Sequence, residues 1–114
     1  MKLELELDSD RFAPGGHVTG KVNVLEGGKS RALTLTLSFH EQTRDYGAVP
    51  FSADAVLHQG DLTAGESYDF GFELPAEAQP SVKAEHSELY WELDACSDER
   101  GLDTHATRRI EVVV

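Results

Sequence analysis

The chain has 114 residues, 39% of them hydrophobic and 27% charged, with a formal net charge of −11. That is the size of one domain, long enough for a hydrophobic core without the covalent staples of much shorter chains. The composition excludes a disordered chain, and the single cysteine, Cys96, excludes an intrachain disulfide.

The charge is uneven. Residues 1–50 hold seven acids and six bases, and residues 101–114 balance at two each. Residues 51–100 hold twelve acids against only Lys83 and Arg100. A negative field from the middle of the chain repels phosphate backbones and anionic lipid heads, so neither nucleic acid nor a bare membrane is an expected partner. No stretch reaches the roughly 20 apolar residues of a membrane-spanning helix. The opening Met1–Glu6 alternates leucine with charge, unlike the apolar centre of a signal peptide. With one cysteine, the expected compartment is a reducing cytoplasm.

Period-two alternation, the mark of half-buried strands, runs through the chain. Leu3, Leu5 and Leu7 alternate with Lys2, Glu4, Glu6 and Asp8. After a turn at Pro14-Gly15-Gly16, Val18, Val22 and Val24 share a face with Gly20 between them, and Gly27-Gly28 reads as a hairpin turn. Leu33, Leu35, Leu37 and Phe39 form the clearest strand, and the pattern lapses into a loop over Gln42–Pro50. Phe51, Ala53, Ala55 and Leu57 make a weaker strand, followed by turns at Gly60-Asp61 and Ala64-Gly65-Glu66.

Tyr68, Phe70, Phe72 and Leu74 alternate up to Pro75, which cannot donate to a ladder. Residues 75–85 read as a crossover loop. Leu89, Trp91, Leu93 and Ala95 then face one way and Tyr90, Glu92, Asp94 and Cys96 the other. Ser97–Asp103 is a charged turn, and Ile110, Val112 and Val114 alternate to the end. About eight strands with no helical periodicity predict an all-β, two-sheet antiparallel, immunoglobulin-like β-sandwich spanning residues 1–114 as one domain.

In order, the landmarks resemble the arrestin-like fold. Phe12-Ala13-Pro14-Gly15-Gly16-His17-Val18-Thr19-Gly20-Lys21-Val22 is similar to that family's aromatic-x-Pro-Gly-Glu-x-Val-x-Gly-x-Val opening, with Gly16 in place of the acid. Leu33–Phe39 resembles its strand of alternating aliphatics. Leu62–Pro75 is similar to its G-x-x-x-x-F-x-F-x-L-P segment, and Gln79-Pro80-Ser81, Leu89–Ala95 and Ile110-Glu111-Val112 follow in order. The family includes arrestins, arrestin-domain adaptors, retromer-associated subunits and bacterial sporulation-control proteins. The resemblance implies a sandwich of the arrestin type acting as a scaffold or adaptor, corresponding to a lone amino-terminal lobe of what is usually a tandem pair. The basic residues by which receptor arrestins sense phosphate have no counterpart in this acidic chain, so phosphate sensing is not carried over.

Catalytic chemistry has little support in the residues. Cys96 falls near Asp94, Asp98 and Glu99, and neighbouring carboxylates suppress the thiolate a nucleophile needs. The histidines His17, His40, His58, His86 and His105 lack the spacing of a metal site, although His40 and His58 sit where neighbouring strands bring them face to face, and His105 where it meets Asp94 or Asp98. Trp91, Tyr68, Phe70 and Phe72 fall on core positions rather than on a sugar platform. The glycine pairs precede strands, not phosphate-cradling helices. No catalytic residue, cofactor or metal is therefore expected.

The expected function is a non-enzymatic adaptor or scaffold module that binds an unidentified protein, or a second copy of itself, by adding a strand to an exposed sheet edge. Terminal strands often lie outermost, which points to Leu3 and Leu5 in the first strand and Ile110, Val112 and Val113 in the last. The alternative is a small-ligand or carbohydrate-binding sandwich using its end loops, Gln42–Pro50 and Ser97–Asp103.

Overall fold

Strands with one apolar face are stable only when those faces close on each other, and in this chain they close between two sheets. The computed structural model describes all of residues 1–114. It has nine strands: β1 (Lys2–Leu7), β2 (Arg11–Phe12), β3 (His17–Glu26), β4 (Ala32–Thr43), β5 (Gly47–Gln59), β6 (Ser67–Glu73), β7 (Val82–Lys83), β8 (Ser87–Asp98) and β9 (Thr104–Val112). The smaller sheet has the order β1-β3-β6, and the larger β2-β9-β8-β4-β5 with β7 also paired to β8. All pairings are antiparallel except β2 with β9. No helix is long and apolar enough to cross a membrane.

The core sits where β4 and β8 run side by side. Leu35 pairs with Ala95, Leu37 with Leu93 and Phe39 with Trp91, so the two apolar faces form one layer. Leu3 and Leu5, Val18, Val22 and Val24, and Phe70 cover that layer from the smaller sheet. Trp91 is the largest fully buried side chain. Its indole N–H donates to the Gln79 carbonyl at 2.9 Å, and the Phe39 and Phe51 rings lie 4.9 and 5.6 Å away. Ser97 also points inward and donates to Ser30 Oγ at 2.8 Å. No buried side-chain polar atom lacks a partner, as a stable interior requires.

Four local expectations change. Gly27-Gly28 is no hairpin turn, because β3 and β4 belong to different sheets and the segment crosses between them. Neither glycine has a positive φ. Gly27 is needed because a Cβ there would lie 2.4 Å from the Leu62 carbonyl oxygen, where the chain passes the bridge between Gly28 and Leu62. The Gln42–Pro50 loop shrinks to residues 44–46, since β4 continues to Thr43 and β5 begins at Gly47. A register irregularity opposite Pro50 breaks the alternation there without ending the ladder. Ser97 and Asp98 extend β8 into the predicted turn, and the crossover loop contains β7.

Candidate functional site

Edge strands expose unpaired backbone donors and acceptors, so the free edges of the two sheets are the first candidates for a binding surface. β1 is an edge of the smaller sheet, where Leu3 and Leu5 point into the core. The outer side of β1 faces β9, and Arg108 Nη1 donates across that seam to the Leu5 carbonyl at 3.4 Å. β9 lies between β8 and β2, so it is not outermost. Ile110 and Val112 are buried, Val112 completely, while Val113 is partly exposed.

The end of β9 is engaged on both sides, with both backbone groups of Val112 turned to Ser81. The Val112 N–H donates to Ser81 Oγ and its carbonyl accepts from Ser81 N–H, while Val113 N–H donates to the Phe12 carbonyl. Proline at 112 would remove an inward hydrogen bond and test folding rather than binding. The side chains of Leu3, Leu5, Ile110 and Val112 are therefore parts of one core, while β1 is an edge of its sheet and β9 is not.

The long free edge is β5. Its 13 residues have β4 on one side and no strand on the other. Between two register irregularities, Phe51–Val56 pairs continuously with Phe39–Thr34, leaving a regular row of backbone groups on the outer side. Phe51 and Leu57 pack on the core, whereas Ser52, Asp54 and Val56 face outward. Val49 and Val56 are 53% and 58% exposed, and Tyr46, at the head of the hairpin, is also exposed.

Asp54 is the only acid on β5, and it accepts a hydrogen bond from Thr36 Oγ1 at 2.7 Å. β1 carries Lys2, Glu4 and Glu6, and β6 carries Asp69 and Glu73. In a protein of net charge −11, β5 is thus the longest edge, with fewer charges than the β1 and β6 edges to block an incoming strand. Alternation hid this, because it assigns side chains to faces and says nothing about which strand lacks a neighbour.

The end loops do not form one site. Thr43 of β4 pairs with Ser87, the start of β8, and Ala32 pairs with Asp98, its end. Residues 44–46 and the β8–β9 connection therefore lie at opposite ends of the larger sheet, about 35–40 Å apart at strand rise. The hollows beside the β7 end, of about 360 and 600 Å³, are open; the larger is polar and the smaller is of mixed character. Along one of them Arg109 stacks 3.8 Å from the Tyr90 ring centroid and binds Glu88 at 2.7 Å, with His40 stacked on Tyr90 at 4.7 Å.

The histidines are dispersed. His40 lies 2.7 Å from Ser38 Oγ, and His58 near the other end of β4 contacts the Asp61 carbonyl at 3.1 Å, so the two do not face each other. His105 does meet Asp94, with Nδ1 3.1 Å from the carboxylate, while its Nε2 lies 3.8 Å from Cys96 Sγ. This has the order of a nucleophile, base and acid, but the electrostatics oppose nucleophilic attack. Burial first, then Asp103 and Asp94, push the Cys96 thiol up to about 11 from 9.0. At neutral pH that leaves roughly 100-fold less thiolate than an ordinary cysteine. Alkylation of the folded protein by iodoacetamide is expected to be slower than that of the urea-unfolded chain by a similar factor, and equal rates would contradict this.

No family model matches the chain, and no curated protein matches it in sequence. Among solved structures it is similar to Spo0M, the sporulation control protein from Bacillus subtilis, with a TM-score of 0.72 and 22% sequence identity over 99% of this chain. The fold is arrestin-like. The chain spans about half the length of Spo0M, 49%.

Proposed function

We propose that this arrestin-like module is a non-enzymatic adaptor that recruits another protein by strand addition to β5. The observation that carries the reading is the uninterrupted Phe51–Val56 edge, unpaired on its outer side and flanked by the exposed Val49 and Val56. Backbone hydrogen bonds would supply affinity, and the outward Ser52, Asp54 and Val56 would select the partner's side chains. A partner other than a second copy is favoured, because two chains of net charge −11 repel as they approach. The likeness to a sporulation control protein supports a regulatory rather than catalytic role. The raised Cys96 thiol and the separation of the two end loops support this reading over catalysis or a ligand site shared by those loops.

Lysines at Val49 and Val56 test the edge, since both side chains are exposed and removing them leaves the core unchanged. The Val49→Lys/Val56→Lys protein should melt within a few degrees of the parent, because surface changes typically alter stability by less than about 0.5 kcal/mol each. Capture of its partner from native lysate should fall at least tenfold. Undiminished capture by a folded double variant would exclude β5 as the binding edge.

A further inference from the structure

The outer face of the larger sheet carries a second group of residues, at the end of the β8–β9 hairpin. β8 and β9 place Cys96 directly opposite His105, and the connecting turn returns Asp103 to the same spot. One Cys96 Sγ, one His105 nitrogen and one Asp103 carboxylate oxygen all lie within 4.8 Å of one another. Sγ is 3.8 Å from both His105 Nε2 and Asp103 Oδ2. A tetrahedral zinc ion with bonds of about 2.0–2.3 Å separates its donors by roughly 3.3–3.8 Å, so both sulfur distances already match ligand spacing.

The side chains are also held in ligand orientation by other groups. Asp94 accepts from His105 Nδ1 at 3.1 Å, which turns Nε2 toward Cys96. This is the carboxylate–histidine arrangement that fixes imidazole ligands in metal sites. Glu99 N–H donates to Asp103 Oδ1 at 3.0 Å, which leaves Oδ2 facing the thiol, and Thr104 N–H donates to Glu99 Oε2 at 3.0 Å. His105 and Asp103 thus each have a free donor atom aimed toward Sγ by a partner on the other atom. The carboxylates of Asp94, Asp98 and Asp103 concentrate negative potential at the same place, which attracts a dication.

We propose that Cys96, His105 and Asp103 form a zinc-type divalent cation site that clips the end of the β8–β9 hairpin. Sulfur and imidazole donors select zinc over magnesium or calcium. On binding, the sulfur–metal bond replaces the S–H bond and the proton leaves to solvent. Asp103 and His105 are exposed, so the remaining coordination position opens to water. Asp94 acts as a positioning residue through His105. The site lies at the opposite end of β4 from the β4–β5 hairpin and does not depend on the β5 edge for its function.

Metal-free protein titrated with Co²⁺ should bind one ion per chain with a thiolate-to-cobalt charge-transfer band, and Zn²⁺ should displace it. Cys96→Ser should abolish the band, and Asp94→Asn should weaken cobalt binding about 10–100-fold while keeping it. Magnesium in excess should displace nothing. Absence of the band in the parent protein, or equal cobalt affinity in a folded Cys96→Ser variant, would overturn the site. The parent titration decides the matter even if a variant fails to fold.

Discussion

Replacing Trp91 by alanine is expected to destabilise the domain by about 3–5 kcal/mol, the range for large aromatic truncations in a core. Trp91 is fully buried, contacts Phe39 and Phe51, and spends its only donor on the Gln79 carbonyl. Alanine would open a cavity between the sheets and remove the bond that ties the crossover after β6 to β8. Domains of this size are stable by only about 5–15 kcal/mol, so the variant should be marginal. Trp91→Phe keeps most of the apolar area but loses the hydrogen bond, and should cost clearly less. Because Trp91 is the only tryptophan, unfolding in urea should be followed by circular dichroism rather than fluorescence. A midpoint for Trp91→Ala close to the parent's would show that the indole does not anchor the core.

Gly20→Ala should cost about 3 kcal/mol or more, at the upper end of what overpacking does, although it adds a single methyl group. A Cβ at Gly20 would lie 2.2 Å from the Glu6 carbonyl oxygen and 3.1 Å from Leu7 Cα, both backbone atoms of the neighbouring β1. It would also lie 3.0 Å from the Phe70 ring, which covers the glycine from β6. The ring can move, but the β1 backbone cannot do so without breaking the β1–β3 ladder. Phe70→Leu should therefore fail to rescue Gly20→Ala. Gly71→Ala is the matched control: its Cβ would meet only Thr19 Cγ2, at an ordinary 3.7 Å. That change should stay within about 0.5 kcal/mol. Equal losses at the two glycines would refute the backbone clash.

Gly20 also illustrates what the sequence reveals. The gap it leaves in the Val18–Val24 face is visible as a missing side chain, but the reason lies in β1 and β6, which only pairing brings alongside. Alternation placed Leu33, Leu35, Leu37, Phe39, Trp91 and Leu93 in the core because a two-residue period fixes the face of each side chain. It cannot show β2 or β7, since two residues have no period. Nor can it show strand order, which is set by pairings between distant segments. For that reason β9, the last strand, proved to be flanked by β8 and β2, and the open edge lies on β5. The metal-ligand group was half legible. His105 stands near Asp94 in any short β8–β9 hairpin, whereas the approach of Asp103 to Cys96 depends on a turn with Gly101 at φ +96°.

Strand addition by a partner is proposed at β5. Hydrogen exchange measured with and without the captured partner tests it most directly. Partner binding should slow exchange of the outward-facing amides within Phe51–Val56 and leave β1 and β9 unchanged. Protection confined to β1, β6 or the β8–β9 end, with β5 exchanging as in the free protein, would contradict it.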